Sequence, residues 1–420
     1  VKIFRAYKTE LDPNNRQRTL LKKHAGAARW VYNWGLARKI ETYKTTGKSI
    51  STGDLDKELN HVKKVELPWL REVSAVMVQQ ALWNLDAAYS NFFVELAKGT
   101  KHSLPKFKAK KNCTGGFSLV GRIHAFPTHI QLPKIGKLRL KEHGYLPVNN
   151  PKVHILGATV KEHAGRWYAI LRVEETIVDP VPKQEATGVD LGSNSLATLH
   201  DGTKFENPKP LKKAQRKLKR LQRAVSRKQK GSRNRRKAVF KLARAHKRIA
   251  DIRLNQLHHV SAVITKRFGL VGLEDLNVAG MLKNHRLAGA LGDASFGELR
   301  RQIEYKLKWS GGRVVLADRF FPSTKRCSSC GVVKESMSLS ERVFRCESCG
   351  FVEDRDVNAA ENLRQVAVSC TETENACGDG KLQTREGQCL SVKQEPNAVS
   401  VDAKRVGFGL RKPVFIFRNN

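Results

Sequence analysis

The chemistry available to this sequence is concentrated in a few acids and four cysteines. Asp190 lies in Thr187-Gly-Val-Asp-Leu-Gly-Ser-Asn-Ser-Leu-Ala-Thr-Leu199, a lone acid in an apolar strand pattern. Val189 and Leu191 point to one face of such a strand and Asp190 to the other. Gly192 and Ser193 leave room beside the carboxylate for a backbone or a phosphate. Glu274 ends a second apolar run, Phe268-Gly-Leu-Val-Gly-Leu-Glu-Asp-Leu-Asn277, with Asp275 expected to face the other way. Asp354 and Asp356 precede an Ala-rich helical pattern, and either one, standing alone, could as readily be a mere helix N-cap as a functional acid. Three acids on separated elements are what a two-metal phosphodiesterase needs. One carboxylate bridges the ions, the others hold them about 4 Å apart, and the pair activates water for in-line displacement. The expected ions are two Mg²⁺.

Cys327-Ser-Ser-Cys330 and Cys346-Glu-Ser-Cys349 are separated by fifteen residues, and each is followed by Gly. Two knuckles at this spacing match a zinc ribbon, whose tetrahedral site takes four thiolates; two redox pairs would be the alternative. Four thiolates fill the coordination sphere, so this Zn²⁺ is expected to be structural. Arg326 and Arg345 precede the knuckles and temper their charge. Cys113, Cys370, Cys377 and Cys389 lack such spacing and are expected to be ordinary thiols.

The chain that positions these groups has 420 residues, 40% of them hydrophobic, enough for about two to four domains. Its formal net charge of +39 calls for a polyanion, and nucleic acid is the expected partner. No apolar run approaches the roughly 20 residues of a spanning helix, and the first residues do not form a charged-then-apolar leader. A soluble, intracellular protein without a membrane partner is expected.

Lys2 to Lys8 is rich in β-formers, and Leu11-Asp-Pro-Asn-Asn15 supplies turn and cap chemistry for a helix through Leu20, Leu21, Ala25, Ala28, Val31, Tyr32 and Leu36. A second helical region runs from Ser51 to Lys98, with Pro68 as kink or boundary and its aromatics, Trp69 among them, mostly in the core. Short β-like runs follow Lys101, at Phe117 to Gly121, His129 to Leu132, Lys137 to Leu140, Val153 to Val160 and Arg166 to Val173. They suggest a small β-barrel with the helical block inserted after its first strand. Val178-Asp-Pro-Val-Pro-Lys183 is a linker by composition. Beyond it the Asp190 strand opens a meander, Leu196 to His200 and Thr203 to Phe205, turning at Asp201-Gly202.

Between Lys209 and Arg253 the chain is dense in Lys and Arg, with Asp251 its only acid. Leu211, Leu218, Leu221 and Val225 form a narrow apolar seam, and Lys230-Gly-Ser-Arg-Asn234 splits the run into two helical arms. A heptad seam argues against disorder, and one-signed charge argues for a nucleic-acid backbone as ligand. The cations expected to grip it are Lys212, Arg216, Lys219, Arg220, Arg223, Arg227, Arg235, Arg236 and Lys237. A helix from Ser295 to Gly311 and a strand from Arg313 to Ala317 precede the cysteines.

Gly188-Val-Asp-Leu-Gly192, Gly272-Leu-Glu-Asp-Leu276, Ser323-Thr-Lys-Arg-Cys-Ser-Ser-Cys-Gly331 and Asp354-Arg-Asp-Val-Asn-Ala-Ala360 resemble the signature motifs of TnpB, the transposon-encoded relatives of type V CRISPR effector nucleases. The resemblance is specific from Asp190 to Leu363 and weaker before it. It implies a multidomain α/β protein: a wedge β-barrel over residues 1–10 and 101–183, and a helical recognition block over 11–100. A RuvC-like, ribonuclease-H-like nuclease domain would follow over 184–325 and 351–366, with the basic hairpin at 209–253 and a zinc ribbon at 326–350. A variable, poorly ordered tail would close the chain from 367 to 420. The third catalytic acid in such proteins lies two residues before Asn-Ala-Ala, which here is Asp356. The implied activity is cleavage of double-stranded DNA beside a short adjacent motif, directed by a guide RNA transcribed from the transposon end. The working unit would be a monomer with its RNA in the cytoplasm of a prokaryote, on the nucleoid when bound to DNA. An unguided transposase or resolvase would use the same acids. A DNA-binding regulator would tolerate their loss, yet all three are present.

Overall fold

The structure is a computed structural model that describes residues 1–99, 103–110, 115–148, 150–181, 183–338 and 340–371, and the backbone alone for 372–377. Strand β1 (Lys2–Leu11) leads into helix α1 (Asn15–Thr46). Asn14 and Gln17 exchange hydrogen bonds, each side-chain oxygen accepting from the other's backbone N–H at 2.9 and 3.0 Å, which satisfies two donors at the helix start. Gly47, at φ +66°, ends α1 in the left-handed conformation that glycine enters without strain. Pro68 is the expected boundary: it opens a short 3₁₀ turn (Pro68–Glu72) between α2 (Thr52–Val65) and α3 (Ala75–Ala97). Trp69, expected in the core, is more than a third exposed and meets Trp30 edge-on, because the 3₁₀ turn gives its burial to Leu70.

The β-rich part that follows comprises β2 (Gly116–Val120), β3 (His124–Ala125), β4 (His129–Leu132), β5 (Gly136–Arg139), β6 (Val153–His163) and β7 (Arg166–Thr176). Among the described residues it forms two antiparallel sheets, β1-β7-β6-β2 and β3-β4-β5, meeting at an isolated bridge between Leu11 and Leu140. Leu21, Leu55 and Leu82 of the helices share one hydrophobic core with Leu119, Ile130 and Leu171 of the sheets.

A second core organises the rest of the chain. Strands β8 (Ala186–Asp190), β9 (Ser195–Leu199) and β10 (Lys204–Glu206) form an antiparallel meander. Helices α4 (Pro210–Ser226) and α5 (Arg233–Arg267) carry the chain across to β11 (Leu270–Glu274), and α6 (Val278–Met281), α7 (Ala288–Ala294) and α8 (Phe296–Trp309) carry it to β12 (Arg313–Ala317). Such crossovers make β8, β11 and β12 parallel, giving a five-stranded mixed sheet in the order β10-β9-β8-β11-β12. The second hairpin arm continues past Arg253, because Leu257, Val260 and Ile264 extend its apolar face into this core with Val189, Val271 and Leu273.

The opposite sheet face is covered by α9 (Arg355–Cys377), which follows the hairpin β13 (Val343–Arg345) and β14 (Val352–Asp354). Close approach is possible because Gly188 and Gly272 point at it. A Cβ on Gly188 would stand 1.9 Å from the Ala360 carbonyl oxygen, and one on Gly272 would stand 2.2 Å from that of Leu363. Residues 367–377 therefore depart from the expected tail: Ala367 and Cys370 are buried with Val315 and Leu270, and this packing prolongs the helix. Cys370 also departs from an ordinary thiol, since it is disulfide-bonded, a pairing that a search for metal spacing does not reveal. The remainder of the expected tail, Cys113, Cys389 and the side chain of Cys377 lie outside the described residues. Within them, no helix is long and apolar enough to cross a membrane.

Candidate active site and metal centre

On neighbouring parallel strands Val189 stands opposite Leu273, so the next residues, Asp190 and Glu274, end β8 and β11 side by side. Carboxyl ends of parallel strands are where open α/β sheets gather their ligands. With a side-chain period of two, Gly188 and Asp190 share a face, as do Gly272 and Glu274. The glycines that admit α9 therefore aim the acids to the side that α9 covers. Asp356 joins them from the first turn of that helix.

All three acids are half-buried. Burial pushes the Asp190 carboxyl up to about 8, helped by the negative charges of Glu274 and Asp356 and opposed by Arg355. Glu274 is oriented by buried Ser323, whose hydroxyl donates to Oε1 at 2.5 Å. Asp356 lies 3.3 Å from the Arg355 guanidinium.

The other two acids have structural partners. Asp354 Oδ1 accepts from the backbone N–H of Asp356 and Val357 at 3.0 and 3.3 Å, and Oδ2 pairs with Lys204 at 2.6 Å. Asp354 thus caps α9. Burial works against its charge, but Lys204 and these N–H groups hold its carboxyl below the usual range. Asp275 faces away, held by Arg319 at 2.6 Å and Arg300 at 3.0 Å, and the Arg319 guanidinium keeps it well ionised.

The four cysteines converge as their spacing requires. Cys327 Sγ lies 3.7 Å from that of Cys349, Cys330 Sγ lies 3.6 Å from that of Cys346, and all four fall within 4.8 Å of one another. A tetrahedron with Zn–S bonds of about 2.3 Å has S–S edges of about 3.8 Å, so the cluster fits zinc. Backbone N–H groups of Cys349 and Ser348 draw the Cys346 thiol down, while at Cys330 the Val332 N–H pulls down but the neighbouring cysteines push the thiol up, as expected of four sulfurs crowded together. The three acids are more spread, for among the described residues only the cysteines bring one ligand atom each within that mutual distance. Their all-oxygen donor set, with negative charges crowding Asp190, fits a hard divalent cation.

One polar stripe on α9 joins the two centres. Asn358 accepts from the Ser328 N–H at 2.9 Å and donates to the Arg326 carbonyl at 2.8 Å. Asn362 donates to the carbonyls of Ser323 and Arg326, and Gln365 to that of Ser328. The helix that carries Asp356 is thereby fastened to the first cysteine knuckle and to the turn that orients Glu274. Sequence reasoning missed Ser323 and this stripe, although Ser323 opens the cysteine motif and Asn358 lies in the motif of Asp356. The signal for Gly188 and Gly272 was present: each stands two residues before an acid.

Of the nine hairpin cations, Lys212, Arg216, Lys219, Arg220, Arg223, Arg227, Arg236 and Lys237 are exposed and Arg235 is half-buried. The ion pairs of the hairpin lie further along α5, Arg253 with Asp293 and Lys247 with Asp251. Asp293 is buried and also accepts from the N–H groups of Leu211 and Lys212, pinning the start of α4 to α7.

Fold and sites define a mixed α/β protein with a four-cysteine knuckle beside a five-stranded sheet. The cryo-EM structure of the Cas12f1-sgRNA-target DNA complex shares this fold, with a TM-score of 0.52 at 14% identity over 86% of this chain and 99% of that one. The family model OrfB_IS605, described as "Probable transposase", matches residues 170–285, and "Cas12f1-like, TNB domain" matches 296–363. A "Helix-turn-helix domain" model matches 3–48, which here are β1 and one long helix. The Streptomyces pristinaespiralis protein named "Putative RNA-guided DNA endonuclease" is 36% identical over 410 residues, 96% of this chain and 99% of that protein. The Escherichia coli K12 protein of the same description, InsQ, is 33% identical over 416 residues, 94% and 98% of the two chains. The chain belongs to the TnpB (IS605 OrfB) family.

Proposed function

We propose that this chain is the RNA-guided DNA endonuclease of an insertion-sequence transposon, cutting double-stranded DNA beside a short adjacent motif. The carrying observation is that Asp190 and Glu274, at the carboxyl ends of β8 and β11, meet Asp356 from the first turn of α9, in a chain that aligns over nearly its whole length with relatives named for this activity. In this reading the mixed sheet and its helices are a RuvC-like domain of ribonuclease-H type, residues 184–325 and 351–366, around a zinc ribbon at 326–350. The two β-sheets form the wedge, residues 1–10 and 101–183, and helices α1 to α3 the recognition block, 11–100.

The three acids would hold magnesium, two ions at full occupancy, whose charge stabilises the attacking and leaving oxygens of phosphodiester hydrolysis. Asp190 faces both partner acids, and its raised proton affinity marks where a cation is most needed. Ser323 fixes the rotamer of Glu274, and the Asp354 cap sets the first turn from which Asp356 projects. Zinc in the four-cysteine site has a structural part only.

The exposed hairpin cations grip nucleic-acid backbone, while pairing with the guide RNA supplies sequence discrimination. The working unit is a monomer with its RNA in the prokaryotic cytoplasm. The matching description as a transposase favours one other reading, the same acids acting without a guide. Replacing the 3′ guide segment of the copurifying RNA separates the two. Cleavage should move to DNA matching the new segment; RNA-stripped protein cutting as selectively as the complex would establish the unguided reading instead.

A further inference from the structure

Phe320 is 88% exposed, more than any other large apolar side chain among the described residues. It does not sit on a slack loop. Its own N–H donates to Asp318 Oδ1 at 2.8 Å, and the Phe321 N–H donates to the Asp318 carbonyl at 3.0 Å, closing a turn directly after β12. The residue before it, Arg319, is bonded to Asp275 at 2.6 Å. Three residues after it, Ser323 is bonded to Glu274 at 2.5 Å. Both flanks of Phe320 are thus tied to consecutive residues, Glu274 and Asp275, which holds the backbone of its turn at the end of β11. Phe321 and Pro322 are half-buried, with the Arg326 guanidinium 5.7 Å from the Phe321 ring centre, so the turn has apolar anchors without Phe320.

We propose that Phe320 is a positioning residue, a stacking platform for a base of the single DNA strand whose backbone passes the acids; this rests on the nuclease reading above. A base in a duplex is stacked on both faces, whereas an unpaired one presents a π-face to an aromatic ring whatever its sequence. Arg319, Lys325 and Arg326 flank the turn in sequence, and a cationic surround of this kind suits the phosphates of such a strand and does not suit an apolar protein partner. A base held on Phe320 registers the neighbouring phosphodiester against Glu274, so the ring selects unpaired strand and fixes which bond is cut.

The test uses the purified ribonucleoprotein and DNA matching its guide. Phe320→Ala and Phe320→Leu should slow single-turnover cleavage by about 5- to 150-fold, the range of one lost base–aromatic stack, with target binding and melting temperature unchanged. Phe320→Trp should restore the rate, since it keeps a stacking face. In an Asp190→Ala background, 2-aminopurine placed along the cut strand should be quenched at one position, and Phe320→Ala should restore its fluorescence. Wild-type cleavage by Phe320→Ala, or by Phe320→Leu, would overturn the stacking role and leave the nuclease assignment standing. Cleavage by Asp190→Ala would overturn that assignment, and the stacking role with it.

Discussion

What distinguishes Asp356 from Asp354 is the use to which each carboxylate is already put. Asp354 is engaged by two backbone N–H groups and Lys204, so replacing it removes a cap worth about 1 kcal/mol. Asp356 pairs with its neighbour Arg355 and faces the other acids. Asp190→Ala, Glu274→Ala and Asp356→Asn should therefore each lower DNA cleavage by about 1,000-fold or more with RNA binding intact, and Asp354→Asn far less. The ranking is checked by single-turnover assays on matched complexes. Asp190 also carries a pH signature. Its folded value of about 8 lies above the ordinary range, so the folded state keeps this proton while the unfolded chain has released it. Stability of the magnesium-free protein accordingly falls as pH rises from about 4 towards 8. Asp190→Asn should raise the melting temperature throughout that window, with the gain largest at its alkaline end, as scanning fluorimetry at several pH values would show. Asp190 and Glu274 were legible because a lone acid in an apolar strand has few structural excuses. The spacing alone could not choose between Asp354 and Asp356; the cap that Asp354 forms on α9 supports Asp356 as the proposed ligand. Ser323 was illegible, since a serine before a cysteine motif has many possible duties.

At the scale of elements, α9 binds the site together, and two glycines make room for it. Gly188→Ala places a Cβ where the Ala360 carbonyl stands, and backbone cannot yield as a side-chain tip can. The variant should lose at least the roughly 1–3 kcal/mol of stability that an overpacked core costs, and lose cleavage, because Asp356 moves with the helix. Cys327→Ser should release zinc, measurable by elemental analysis, since a structural site couples binding to folding. It should also weaken cleavage through Asn358 and Asn362, which tie that knuckle to α9. Most strands and helices were visible in the sequence from their hydrophobic period. The extension of α9 to Cys377 was not, because the buried stripe of Ala367 and Cys370 is made of small residues that carry little hydrophobic signal.

Among the described residues the two large cores meet at a seam. Arg5 of β1 lies 4.9 Å over the Trp309 ring of α8, Lys247 of α5 stands 5.0 Å from the Tyr168 ring of β7, and Phe240 fills the space beside Gly165. Residues far apart in sequence make this seam, so periodicity could not show it, nor that the helical block shares its core with the β-sheets. The charge, by contrast, was legible at once. Arg216→Ala/Arg220→Ala/Arg223→Ala should weaken RNA binding and flatten the plot of log affinity against log salt by roughly 2, about 0.7 for each phosphate left without its arginine. An unchanged slope would remove these residues from the interface. The order of the acids along the chain has a further consequence for the cell that makes the protein. Ribosomes deliver Asp190 first and Asp356 last, and at about 5–20 residues per second the interval between them is roughly 8–30 s. On the proposed assignment, the emerging polypeptide would display its basic arms, once residues 209–253 are made, before it had the third acid for breaking a phosphodiester. Synthesis itself would then separate loading from cutting, and a transcript captured early would be in place before the first strand could be nicked.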